Sequence, residues 1–173
     1  SLRDVVSSAL QSGDFSVARA RMNEAKKAVL LGGEGGQEVM ELGVLVAVHT
    51  KDQLSFQRYI SQLKPYYAAD PELAAQSSLR PTILGLYLLY LIVENKLSEF
   101  HAELELLSEA DLVRREVAFA VGLEQNLMVG TYDEVLKAKE DMPSPEHFSF
   151  FISRLLDTVR ESIAECAQLS YTS

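Results

Sequence analysis

LGLYLLYLIVENKLSEFHAELELL, residues 84–107, decides the fold class. Its first segment, Leu84–Val93, is apolar almost throughout. Crossing a bilayer takes about 20 apolar residues, so a run this short reads as a core helix. Glu94-Asn95-Lys96 interrupts it. Beyond the break, Leu97, Phe100, Leu104 and Leu107 recur at helical spacing, while Glu99, His101, Glu103 and Glu105 take the other side. Two helices joined by a polar break form a hairpin, and hairpins repeated along a chain build a scaffold.

The same reading extends in both directions. Leu2–Leu10 forms a short helix, Gln11-Ser12-Gly13-Asp14 breaks it, and Asp14 caps the next. Phe15–Leu31 follows, with Val17, Ala18, Met22, Ala25 and Val29 as its buried stripe. Residues 32–36 are a glycine-rich loop. Gln37–His49 is strongly apolar, with Val39, Leu42 and Val46 inside, and Thr50-Lys51-Asp52 ends it. Gln53–Tyr67 carries Leu54, Tyr59, Leu63 and the Tyr66-Tyr67 pair. Pro71 marks a loop. Pro81 sits in the first turn of a helix reaching Asn95, with Leu97–Leu107 as its partner. A turn at 108–111 leads to Val113–Val129, which Gly130 stops. Thr131–Glu140 is short and amphipathic. Ser144 caps a helix from Pro145 to Tyr171, with Phe148, Phe151, Ile152, Leu155, Val159, Ile163 and Cys166 on one face. No alternating Val/Ile/Thr run bounded by a hairpin turn points to a strand.

The breaks between paired helices fall at Gly13, Asp52, Asn95 and Gly130, separated by 39, 43 and 35 residues. Periods of that size belong to tetratricopeptide-like helical repeats, although the chain has no Trp and lacks the strict consensus. The expected fold is all-α. It is a tetratricopeptide-like right-handed stack of helix hairpins, with residues 1–173 as a single all-helical repeat domain.

Composition is that of a folded chain, with 47% hydrophobic and 24% charged residues. Ser1–Leu10 has no apolar core resembling a signal peptide. A single cysteine, Cys166, excludes an intramolecular disulfide framework and fits a reducing compartment. The first residue is not Met, and the chain reads as a piece of something longer. Residues 1–65 carry a net charge of +1 and residues 66–173 carry −10. Such an acidic part argues against nucleic acid, whose binding needs clustered Lys and Arg.

Reaction chemistry is poorly served. His49, His101 and His147 fall in no zinc-binding spacing, and His101 reads as a solvated side chain. Cys166 reads as a buried, inert thiol. The GGEGG tract lacks the Lys-Ser/Thr of a phosphate-binding loop, and no nucleophile elbow or dinucleotide fingerprint occurs. Acidic pairs such as Glu103/Glu105 and Asp133/Glu134 read as solvated helix faces. The chain is therefore expected to be no enzyme and to hold no cofactor or metal.

The remaining candidate is a surface. QRYISQLKPYY, residues 57–67, clusters Tyr with basic residues, and Tyr and Arg are enriched at binding hot spots. Arg58, Tyr59, Gln62, Lys64, Tyr66 and Tyr67 are the candidate partner-binding residues. The competing reading packs Tyr59 and one of Tyr66 and Tyr67 against a neighbouring hairpin. On the contact reading, Arg58→Glu or Tyr67→Ala leaves folding largely intact.

Three stretches also carry a resemblance. They are SFQRYISQLKPYY at 55–67, LGLYLLYLIVENKLSEFHAELELL at 84–107, and VGLEQNLMVGTYDEVLKAKEDMPSPEHFSFFISRLLDTVRESIAEC at 121–166. In the same order they resemble the family of the twelfth non-ATPase subunit of the 26S proteasome regulatory particle. That resemblance implies a PCI-domain lid subunit, a helical stack followed by a winged helix, without catalytic activity. It implies a role in lid assembly and lid–base association, in cytoplasm and nucleus. The implied partners are other lid subunits, including PCI subunits and the ubiquitin receptor, with no nucleic acid and no membrane. The family continues into its winged helix beyond Tyr171, so this piece is expected to be monomeric alone. Two other readings stand beside it: a small PCI subunit of the signalosome or of translation initiation factor 3, and an adaptor binding peptides in the groove of its stack.

Overall fold

The computed structural model describes the backbone of residues 2–32 and 35–172, and side chains over 4–32 and 35–165. Among the described residues the chain is helical, with no strand. It divides into two compact units, Ser1–Ile83 and Leu84–Ser173.

The first unit comprises α1 (Leu2–Ser12), α2 (Phe15–Leu30), α3 (Gly36–His49), α4 (Gln53–Ala69), α5 (Pro71–Gln76) and the start of α6 (Arg80–Val93). α3 is its centre, packed against α1, α2 and α4. That position explains its composition, since a helix covered on several sides is apolar all round. Val44, Leu45, Val46, Ala47 and Val48 are all buried. Gly43 lets the Tyr59 ring approach so closely that an added Cβ would lie 2.5 Å from ring carbons.

The second unit continues with α7 (Leu97–Leu106), α8 (Glu109–Leu112), α9 (Arg115–Val129), α10 (Tyr132–Leu136), α11 (Ala138–Asp141) and α12 (Pro145–Thr172). Leu86, Leu89, Phe100, Val117, Ala120, Phe148, Phe151 and Ile152 form its core. Phe148 reaches Gly85 of α6 and lies 6.2 Å from the Phe119 ring. Phe151 meets Tyr90 edge-on at 6.1 Å.

One turn recurs at all four breaks. Gly13, Lys51, Asn95 and Gly130 adopt positive φ of 83°, 58°, 56° and 78°. In each case the next N–H bonds back to a carbonyl five residues earlier. The pairs are Asp14 to Ala9, Asp52 to Ala47, Lys96 to Leu91, and Thr131 to Asn126, at 2.8–3.0 Å. This is the left-handed helix stop that satisfies orphan carbonyls. Asp14 and Asp52 then cap the following helices by accepting from the N–H groups of Val17 and Ser55.

Several sequence expectations need correction. Pro71 opens α5 instead of marking a loop: its missing N–H is one the first turn does not use, and Asp70 accepts from Leu73 at 3.0 Å. The turn at 108–111 is largely a helix, α8, closed by a reciprocal Ser108–Asp111 capping box. Thr131–Glu140 is two short helices that meet at Lys137. Val17 is 40% exposed, leaving Ala18, Met22 and Ala25 as the buried residues of α2. Leu54 is 73% exposed, outside the core of α4. The buried row of α12 ends at Val159, and Ile163 is 38% exposed. Cys166 lies outside the residues whose side chains are described.

Candidate protein-contact surface

α4 presents two faces. At helical spacing Phe56, Ile60 and Leu63 turn inward and are buried. Leu54, Arg58, Gln62 and Tyr66, at successive intervals of four, form an exposed outer row. Lys64 is exposed as well. The row combines an aliphatic, a cationic, an amide and an aromatic side chain, a mixture suited to a protein contact. Its apolar member, Leu54, was not among the residues singled out from the sequence. The i, i+4 spacing to Arg58 was the signal that could have found it.

The other two candidates lie beneath this row. Tyr59 is 8% exposed, with its ring on Gly43 and the Lys26 ammonium 4.7 Å from its centroid. Tyr67 is half-buried. Its hydroxyl donates to Glu41 at 2.7 Å, and Ser77 donates to the same carboxylate oxygen at 2.6 Å. Glu41 is only 1% exposed. Desolvation raises its pKa, opposed by the two donated hydrogen bonds. The Tyr67 hydroxyl is held protonated well above its usual range, mainly by burial and then by its bond to Glu41. The Arg80 guanidinium lies 5.6 Å from the Tyr67 ring centroid. The expectation that Tyr67→Ala leaves folding intact is therefore corrected, because Tyr67 satisfies a buried carboxylate.

Between α2 and α4, over Val46 and Ala47 of α3, lies a cleft of about 170 Å³. Arg19, Lys26 and Arg58 line it together with Asp52. Asp52 is committed elsewhere: it accepts from the Ser55 N–H at 3.1 Å and from the Ser55 hydroxyl at 2.7 Å, and pairs with Arg19 at 3.3 Å. The Ser55 hydrogen bonds hold its pKa below the ordinary carboxylate value.

His101 has a partner on another helix. Its side chain is 55% exposed, as the sequence suggests, and what the sequence does not show is that Nε2 lies 3.2 Å from Oε1 of Glu124, itself 5% exposed. No cluster of three or more His, Cys, Asp or Glu among the described residues is arranged to hold a metal. No described helix is long and apolar enough to cross a membrane. What this chain displays is an exposed row of α4 set over a buried helical core.

The sequence profile of the CSN8/PSMD8/EIF3K family matches residues 78–173, more than half of the chain. The chain belongs to this family. Among its curated relatives, the 26S proteasome non-ATPase regulatory subunit 8 homolog A of Arabidopsis thaliana is 42% identical over 78% of this chain and 50% of its own. The 26S proteasome regulatory subunit rpn12 of Schizosaccharomyces pombe is 39% identical over 79% of this chain and 50% of its own. Saccharomyces cerevisiae RPN12, also named a 26S proteasome regulatory subunit, is 29% identical over 78% and 51%. The chain spans about half the length of these CSN8/PSMD8/EIF3K-family relatives.

Proposed function

We propose that this chain is the helical part of a non-catalytic structural and assembly subunit of the 26S proteasome regulatory particle lid, acting in ubiquitin-dependent degradation. The observation that carries this reading is the shared naming of its relatives as 26S proteasome regulatory subunits, among them three at 42%, 39% and 29% identity. The recurring left-handed hairpin turn supports tetratricopeptide-like helix hairpins as the working architecture. Its partners are other lid subunits, including PCI subunits and the ubiquitin receptor, in cytoplasm and nucleus, and its incorporation favours lid–base association. Nucleic acid and membrane play no part in this role. Arg58, Gln62, Lys64 and Tyr66 make the contact, with Tyr59 and Tyr67 holding that face in place. Leu54 extends it.

The family description also spans signalosome and initiation factor 3 subunits, which makes those assemblies the second reading. Affinity purification of the tagged chain and of its full-length parent, followed by mass spectrometry, separates the two. Lid and base subunits with the parent are expected. Signalosome or initiation-factor subunits in their place overturn the proposal.

A further inference from the structure

The cleft between α2 and α4 is the part of the contact face whose chemistry points most definitely to an occupant. In a chain of net charge −9 it gathers three cations, Arg19, Lys26 and Arg58, around one carboxylate. That carboxylate, Asp52, already accepts from Ser55 twice and from Arg19 once. No carboxylate pairs with Arg58 or Lys26 among the described residues. Lys26 is instead held over the Tyr59 ring at 4.7 Å. Lys26 and Arg58 therefore face a cavity of about 170 Å³ without a directly paired carboxylate, Asp52 acting on Arg58 only through space. A water occupies roughly 30 Å³, so there is room for a carboxylate side chain and a few waters.

We propose that this cleft is a docking site for an acidic segment of a partner protein, with a partner Asp or Glu carboxylate seated between Lys26 and Arg58. It rests on the reading of α4 as a contact face. A carboxylate can accept from both cations at once, and charge-assisted bonds of this kind are stronger than neutral ones. A polyanionic nucleic acid is the poorer fit, because three cations in a small cavity do not track a phosphate backbone. The outer row of α4 continues from the same Arg58, so one bound segment can run from the cleft along the helix.

The test measures binding of a fluorescein-labelled Asp-Glu-Asp-Glu-Asp peptide by anisotropy. Unsubstituted protein binds it, and the affinity falls as salt rises. Lys26→Glu and Arg58→Glu each weaken binding at least about tenfold, while the control Arg160→Glu on α12 leaves it unchanged. Circular dichroism establishes that each variant is folded, and Lys26→Gln serves if the reversed charge disturbs α2. Absence of binding at millimolar peptide overturns the proposal, as does binding indifferent to both substitutions. Tighter binding of a single-stranded oligonucleotide through the same residues, or a self-association lost in Arg58→Glu, also overturns it by assigning the cleft to another occupant. Should the parent co-purify with lid subunits while the peptide fails to bind, the cleft alone is lost. If the peptide binds and the parent joins another assembly, the lid reading alone is lost.

Discussion

The phenol of Tyr67 on α4 donates a 2.7 Å hydrogen bond to Glu41 on α3, a carboxylate 1% exposed in the core of the first unit. Its second donor is Ser77, beyond α5. One buried acid thus ties together three consecutive segments of the chain. Tyr67→Phe removes one donor and leaves the carboxylate under-satisfied. Stability should fall by about 1–3 kcal/mol in urea unfolding. Ser77→Ala should cost a similar amount, and the double variant should depart from additivity because both bonds end on one oxygen.

The same carboxylate makes stability depend on pH. Burial raises the folded-state pKa of Glu41 above its ordinary 4.5, so between those two values the folded protein binds more protons than the unfolded chain. The contribution of Glu41 to stability therefore declines as pH rises from about 4.5 through its folded pKa. Asp52 acts oppositely and lower down: its depressed pKa gives stability that is present above 3.8 and lost as pH falls through the folded value. Glu41→Gln should abolish the decline above 4.5 and leave the acid limb intact, as read from melting temperature against pH.

Gly43 faces the Tyr59 ring so closely that a Cβ would stand 2.5 Å from it. Gly43→Ala should destabilise by about 1–3 kcal/mol despite the better helix propensity of Ala, because overpacking forces the helices apart. A melt in which this variant gains stability would contradict the close approach of α3 and α4.

Lys51 carries a side chain at φ 58°, where its counterparts Gly13 and Gly130 have none. A left-handed conformation costs a non-glycine residue about 1–2 kcal/mol. Lys51→Gly should therefore stabilise by a few tenths to about 1 kcal/mol, the gain being reduced by the added freedom of the unfolded chain.

Core and surface should separate sharply in the second unit and on α4. Phe148, fully buried against Gly85 and Phe119, should cost about 3–5 kcal/mol on truncation to Ala. Leu54→Ala, at a 73% exposed site, should change stability by less than about 0.5 kcal/mol while weakening partner capture. Chemical denaturation of the two variants checks both values.

The hairpin pattern was legible because its signals are local. The apolar run 84–93 and the breaks at Gly13, Asp52, Asn95 and Gly130 sit where the structure turns, give or take one residue. Val17 was misplaced because spacing defines a helix face without saying how wide a neighbour covers it. Pro71 was misread because proline ends one helix and begins another with equal ease, and the cap at Asp70 decides between them. The tie between Glu41, Tyr67 and Ser77 was beyond local reading: residues 26 and 36 positions apart reveal a shared hydrogen bond only once α3 and α4 are packed. His101 and Glu124 escaped for the same reason, being joined across α7 and α9. The outer face of α4 was partly legible, through its basic and aromatic residues, but its apolar end and its cleft needed the fold.

On the proposed function, the protein that carries this chain helps assemble the proteasome lid. Native-gel separation of proteasome particles from cells depleted of that parent tests it most directly. Loss of fully capped particles, accumulation of incomplete lid and free core, and recovery when the parent is restored are expected. Unchanged capped particles after depletion would contradict it.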